Sequence, residues 1–554
     1  MTQTARKPLP LWASVLIVAT ILVVGVVPVL YYILGPARGY MTSDTTDSVL
    51  WAYRAYVSGK AADPNFYYAA ILPFGGNQIY FPFVAIFGYS MAAQLCGLTL
   101  FALLFAAALW FFFSGVGLDR YRSAAGVSLT MLILSSGAKL REILWEHIFY
   151  YNLGILFFCV GMGLVFRLLD VEKTSEKPRR VIAIISAVCL GLFSLFAATD
   201  GLQALICFSL PLCAGIFTER LFSSDDLLGK TGKRSLWLIL FVIGTSLIGV
   251  LFGKLLTGGV TAGYQEAYST WSDPSEWTDN LLGFLPNWFS LLGVNATSSD
   301  ALTSGASLLN MIRVAGGILL PVLPLFLVFR WKSVGRRVRI ALIGHLTVCA
   351  CILFAVIFGS LGGANWRLVP MLGTSVLLSI LTVAEYFRSD KIRRRLAVLF
   401  LALLLLLAAI PFGTILGMPA KYGRDNSWFA ATEALEARGL RYGYANFWWA
   451  EYVTLLSGGD LEVGNIREWE KEPVAYRYQC MKNAFTPKDD AENYFLLLTE
   501  DENMKMSAWL RERERLGVLV DSFTVDASYD LRGHKGDRLY VYVYSVSPLE
   551  AVTE

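Results

Sequence analysis

Charged residues are scarce in this 554-residue chain: Asp, Glu, Lys and Arg together make up 16% of it, against about 25% in soluble domains. That shortage excludes a string of ordinary soluble domains, each of which would need its own polar skin. Histidine is rarer still, with three copies, and no His cluster or CxxC pair has metal-ligand spacing. Of the eight cysteines, seven (Cys96, Cys159, Cys189, Cys207, Cys213, Cys349 and Cys351) fall in apolar runs. Only Cys480 lies beyond them, which excludes a disulfide scaffold there. Neither a P-loop nor a GxGxxG after a strand occurs, so the nucleotide fingerprints are missing. No basic patch suits nucleic acid, because the basic residues cluster between apolar runs.

What is present in their place is apolar. Hydrophobic residues reach 55% and aromatics 14%, with a mean hydropathy of +0.53. Runs long enough to cross about 30 Å of hydrocarbon recur over 11–34, 83–114, 123–138, 148–169, 181–198, 201–217, 236–257, 310–330, 340–359, 367–387 and 396–418. This predicts a polytopic α-helical membrane protein of about 11 spans. The first run has a basic flank (Arg6, Lys7) but outruns a signal-peptide core and lacks a clean small-residue cleavage site, so an uncleaved anchor is expected.

Charge gives the orientation. With the amino terminus cytoplasmic, the inner connections hold Arg120/Arg122, Lys173/Lys177/Arg179/Arg180, Lys230/Lys233/Arg234, Arg336/Arg337/Arg339 and Lys391/Arg393/Arg394/Arg395. With flanks, about 23 basic residues then lie inside and about 8 outside, as the positive-inside rule requires. From Lys421 onward 16 Lys and Arg face 23 Asp and Glu, so this acidic part is placed outside. The expected division is a bundle over 1–419, with long outer loops at 35–82 and 258–309, and an extracytoplasmic α/β domain over 420–554. Residues 493–499, 518–525 and 538–546 are strand-like and 503–515 helical.

The outer loops carry the candidate chemistry. Thr42 or Ser43 can cap a helix over 44–58. Val49, Ala52, Tyr53 and Tyr56 would be its apolar stripe, and Asp44, Asp47, Trp51 and Arg54 its other face. Acids in a first turn also occur for capping alone. The second outer loop packs Lys139, Arg141, Glu142, Glu146 and His147 at the ends of two spans, where ionisable groups tend to face a cavity or each other. His147 beside Glu146 would titrate near neutrality. Arg367, after Asn365 and Trp366, sits at the outer interface, Asp200 faces outward between two spans, and His345 reads as structural. In the fourth outer loop Glu266, Asp273, Glu276 and Asp279 alternate with Tyr264, Tyr268, Trp271 and Trp277, a mixture that suits carbohydrate as well as any interfacial loop.

Together these positions resemble the GT-C superfamily of membrane glycosyltransferases, in particular its family-39-like branch of polyprenyl-phosphate-sugar enzymes, relatives of protein mannosyltransferases and aminoarabinose transferases. The resemblance rests on SDTTD after the first span, the helix following it, PFGGNQIYFP closing the first loop, REILWEHIFYYN, NWRLVP, and GYANFWWAEYVTLLSGG after the last span. The chain lacks the adjacent Asp-Glu pair of protein mannosyltransferases and the WWD signature of oligosaccharyltransferases. The resemblance implies transfer of a sugar from a polyprenyl-phosphate donor to an acceptor glycan, lipid or protein on the outer face, with inversion. Asp44 or Asp47 would be the base, assisted by Glu146 and His147; Arg367, Lys139 and Arg141 would hold the donor phosphate. Arg54, Trp51, Tyr68, Asn77 and Trp271 would touch substrate. No metal ligand set is assigned, although the acids could hold Mg or Mn. A bacterial inner membrane is the expected location. A transporter or lipid flippase, or a non-catalytic envelope-assembly protein, is the alternative; the former would place charges midway through several spans.

Overall fold

The computed structural model describes residues 10–170, 177–223, 230–260, 270–295, 301–360, 364–423, 426–526 and 538–549. Arg6, Lys7, Lys173, Tyr264, Glu266 and Tyr268 therefore lie outside the described residues. Among the described residues ten helices are long and apolar enough to cross a membrane, eleven if one bent pair counts as a span. The chain is an integral membrane protein with a helical bundle and a carboxy-terminal sheet region.

The first helix, α1 (Leu11–Leu34), ties the two ends of the bundle together. Its 24 residues rise about 36 Å. Near its start the Ser14 hydroxyl meets the Tyr121 hydroxyl at 2.6 Å, close to the basic connection at Arg120 and Arg122. At its other end Tyr31 donates to the Met418 carbonyl, and the following turn accepts the Tyr452 hydroxyl at Arg38. The basic connections and the carboxy-terminal region thus occupy opposite ends. At the basic end Arg336 and Arg339 both pair with buried Glu219, at 3.0 and 2.9 Å.

Two spans differ from the sequence expectation, each for a local reason. The run 83–114 is broken: α3 (Gly75–Phe87) ends at Gly88, whose φ of 65° stops a helix, and the span starts at Met91 with Ser90 as its cap. The run 123–138 is helical over Arg120–Ile133, then turns by 117° into Ala138–Glu146. Gly137 sits at that bend because a Cβ there would lie 2.2 Å from the Leu291 carbonyl oxygen. The second outer loop is consequently a helical hairpin arm, ending in a π-turn over Glu142–Glu146.

The helix expected at 44–58 is α2 (Ser43–Ser58), with Thr42 at its N-cap and the Thr45 hydroxyl accepting the Thr42 N–H at 2.9 Å. It does not rest on one apolar stripe. Val49, Leu50, Trp51, Ala52 and Ala55 are all buried, and Tyr56 of the expected stripe is exposed. The cause is the carboxy-terminal region, which covers the second face: α4 (Phe447–Leu456) packs on α2, and Glu451 donates its backbone N–H to the Ser43 hydroxyl at 3.1 Å.

That region is built on one six-stranded sheet in the order β4-β3-β2-β6-β8-β7, from β2 (Tyr442–Asn446), β3 (Glu462–Trp469), β4 (Glu472–Ala475), β6 (Tyr494–Leu498), β7 (Leu519–Val525) and β8 (Leu539–Tyr544). The last three fall on the three predicted strands, and 503–515 is helical as expected. β2 runs parallel to both β3 and β6, and α4 makes the crossover from β2 to β3. A separate two-stranded ribbon joins β1 (Phe66–Tyr67) of the first loop to β5 (Cys480–Met481).

Candidate active site

The mouth of the bundle on the side of the carboxy-terminal region is assembled by hydrogen bonds between the first turns of α2 and the segment Glu146–Ile148. The Gln94 amide donates to the Thr45 carbonyl at 2.9 Å and to the Glu146 carbonyl at 2.8 Å. Ser48 donates to the Ile148 carbonyl. His147 donates from Nδ1 to the Asp44 carbonyl at 3.2 Å, which fixes the tautomer and leaves Nε2 unprotonated. Asn152 locks the same turn by donating to the His147 carbonyl at 2.8 Å. Buried Gln94 and Asn152 carry no sequence motif; they are polar residues inside apolar runs, which is the one signal that could have found them.

Around this turn stand the cations of the sequence reading. Tyr32 donates to the buried Glu146 carboxylate at 2.5 Å, and the Arg141 guanidinium lies over the Tyr32 ring, 5.5 Å from its centre. Lys139 pairs with Glu142 at 2.5 Å and sits 4.5 Å from the Trp366 ring centre. Arg367, next to Trp366, is buried on a short turn (Asn365–Leu368) that opens the helix Val369–Phe387. Asp44, Glu146, His147, Lys139 and Arg141 are thus brought into one connected group, with Arg367 at its border.

The two acids of SDTTD part company. Asp44 is partly exposed, whereas Asp47 is 5% exposed and its Oδ1 accepts no hydrogen bond. Burial, then the negative charges of Asp44 and Glu451, push the Asp47 pKa well above the carboxylate range. Asp47 is therefore biased toward its protonated form and packed toward the sheet region. Burial also pushes His147 down to about 4, so it is a neutral imidazole and not the near-neutral titrating group expected beside Glu146.

Most of the residues expected on the substrate are held by contacts within the chain. Trp51 is 1% exposed and donates its ring N–H to the Gln479 side chain at 2.8 Å. The Tyr68 hydroxyl accepts the Asp63 N–H at 2.8 Å, and buried Asp63 pairs with Arg54 at 2.7 Å. Asn77 is buried in the first turn of α3, and its side-chain oxygen accepts no hydrogen bond. Trp271 stands apart, exposed and bridged to Gly359. Asp200 is not exposed: it is buried between two spans and accepts the N–H groups of Phe74 (2.8 Å) and Gly75 (2.9 Å), latching the start of α3. His345 is structural, bonded to Thr374 at 2.9 Å. Among the described residues no three His, Cys, Asp or Glu side chains gather as a metal site. Residues that sequence reasoning missed are Glu451, Gln479 and Asp63, because each acts through a fold contact hundreds of residues away or within a loop without a motif.

No family model matches the chain, and no curated protein matches it. Among solved structures, ArnT from Cupriavidus metallidurans bound to undecaprenyl phosphate aligns with a TM-score of 0.54 at 12% identity, over 96% of this chain and 98% of that one. The same protein in its apo state aligns at 0.52 and 11% identity with the same coverage. Over nearly its whole length, then, the chain shares the fold of ArnT.

Proposed function

We propose that the chain is a glycosyltransferase that moves a sugar from a polyprenyl-phosphate donor to an acceptor glycan, lipid or protein on the outer face of a bacterial inner membrane. Asp44 takes the proton of the acceptor hydroxyl as that oxygen attacks the anomeric carbon in line, and the prenyl phosphate leaves with inversion. Arg141, Lys139 and Arg367 supply fixed positive charge for the developing phosphate dianion, where a water-poor mouth makes each contact count for more. Neutral His147 and Glu146 position the first turn of α2. The donor class follows by likeness from the fold neighbour whose structure holds undecaprenyl phosphate. With no three-residue ligand cluster among the described residues, a divalent ion would rest on Asp44 and the donor phosphate, so we assign no step to one.

The observation that carries this reading is the difference between the two acids of SDTTD: Asp47 is buried with its pKa pushed up, and Asp44 is partly exposed beside the turn that carries Lys139 and Arg141. The test is prenyl-phosphate release by the reconstituted full chain given a polyprenyl-phosphate sugar and membrane acceptors. Asp44→Asn should lower kcat by about 10²–10⁴-fold. Undiminished release by that variant sinks Asp44 as the base.

A further inference from the structure

A second cavity lies away from the mouth, between the later turns of α2 and the carboxy-terminal sheet. Its volume is about 360 Å³, within the small end of ligand pockets, and its walls come from two parts of the chain far apart in sequence. Leu50, Tyr53 and Arg54 of α2 form one side; the ends of β2, β3 and β6 and the segment Cys480–Lys488 form the other. The lining is polar as well as aromatic. Tyr53, Tyr89, Tyr442, Tyr444 and Tyr494 supply rings and hydroxyls, and Asn483, Thr454 and Thr486 supply neutral donors and acceptors.

One lining group stands out. The Glu451 side chain is 7% exposed, borders the cavity, and makes no hydrogen bond or ion pair among the described residues. Its neighbours are the Asp47 carboxyl and Arg54, and Arg54 is already paired with Asp63. A buried carboxyl without a partner costs free energy unless something else satisfies it. It also marks where a hydroxyl-bearing ligand would bond. The lining also holds a second acid, Glu462, and two cations, Arg54 and Lys488, but Arg54 is paired with Asp63 and Lys488 with Glu462. Rings, neutral hydrogen-bonding groups and the unpaired Glu451 carboxyl therefore suit a polyhydroxylated, uncharged molecule with an apolar face. They do not suit a lipid chain, which has no hydroxyls to offer Glu451, or a phosphate, because the two lining cations, Arg54 and Lys488, are already paired with Asp63 and Glu462.

From these observations we infer that this interdomain cleft is a saccharide-binding subsite in which Glu451 accepts a sugar hydroxyl. Resting on the glycosyltransferase reading, its role is to hold the glycan part of the acceptor. The helix that lines it sets the distance: Leu50 lies six residues from Asp44 and Arg54 ten, about 9 and 15 Å along the axis. A saccharide seated against them is within a few sugar units of the base.

The experiment is saturation-transfer NMR on the full chain in nanodiscs, with the methyl glycosides of glucose, galactose, mannose and N-acetylglucosamine as probes. At least one should bind at about 20 mM or below. Thr486→Trp, which fills the rim, and Glu451→Ala, which removes the hydrogen-bonding carboxyl, should each weaken it tenfold or more. Met504→Trp, on an exposed helix outside the cleft, should leave it unchanged, and thermal midpoints establish that all three variants fold. No binding by the unaltered chain, or equal binding by all variants, overturns the inference. Prenyl-phosphate release is measured separately. Glycoside binding without any release keeps the saccharide cleft and overturns the enzymatic reading; release without glycoside binding does the reverse.

Discussion

At the scale of single residues, the environment separates side chains that the sequence leaves equivalent. Asp44 and Asp47 are three positions apart in one motif, and no spacing rule ranks them. Burial under Glu451 and Gln479 does, because it removes Asp47 from water and leaves Asp44 partly in it. Asp47→Asn should therefore cost far less activity than Asp44→Asn, less than about tenfold, since a neutral amide replaces an acid biased toward its protonated form. Glu451 provides a pH test. Burial pushes its pKa up to about 8, against about 4.3 when unfolded. The folded state thus holds the proton more tightly, so stability is present below pH ~4.3 and is lost as pH rises toward 8. The thermal midpoint of the full chain should fall between pH 5 and 8, and Glu451→Gln should flatten that fall by the equivalent of about 4 kcal/mol. An unchanged slope would show that Glu451 is not buried as described.

At the scale of elements, most of the bundle was legible because apolar length and basic flanks are read directly from the residues. Every predicted span corresponds to a helix or to the bent pair, and three of the six sheet strands fell on their predicted segments. What was not legible depends on contacts between elements. β2 reads as GYAN before an aromatic run, and its strand character comes from being flanked in parallel by β3 and β6. The broken run at Gly88 needed a single φ, and the burial of both faces of α2 needed α4. Latching contacts give element-scale tests. Gly75→Ala puts a Cβ 2.4 Å from the Leu153 side chain and 2.8 Å from the Asp200 carboxyl. It should destabilise the fold by about 1–3 kcal/mol, measured as a lowered thermal midpoint. Arg54→Ala leaves buried Asp63 without its cation. A loss of about 3–5 kcal/mol is expected by the same measurement.

At the scale of the whole molecule, charge is partitioned between the two ends that α1 connects. Basic connections occupy one end and an acidic sheet region the other, and the +4 net charge is the remainder of those opposed halves. The proposed topology is checked by thiol labelling in intact bacteria. Lys505→Cys should react with an impermeant maleimide at once, and Lys391→Cys only after permeabilisation. The reverse pattern would invert the orientation and remove the mouth from the outer face. Metal dependence is also a property of the assembled molecule: chelation with EDTA should leave prenyl-phosphate release within about twofold, since the phosphate charge is met by Arg and Lys.

The ribbon between Phe66–Tyr67 and Cys480–Met481 has a consequence for timing during synthesis. The helix bearing Asp44 emerges early, yet Trp51 hydrogen-bonds to Gln479, Ser43 to Glu451, and the turn at Arg38 to Tyr452, all made from the last quarter of the chain. A nascent chain can insert its first spans and still hold SDTTD without its cover. The machinery would be switched on only when translation is nearly finished and the final segment has crossed the membrane. On the proposed function, ordering in synthesis would then keep a half-made protein from acting on a donor.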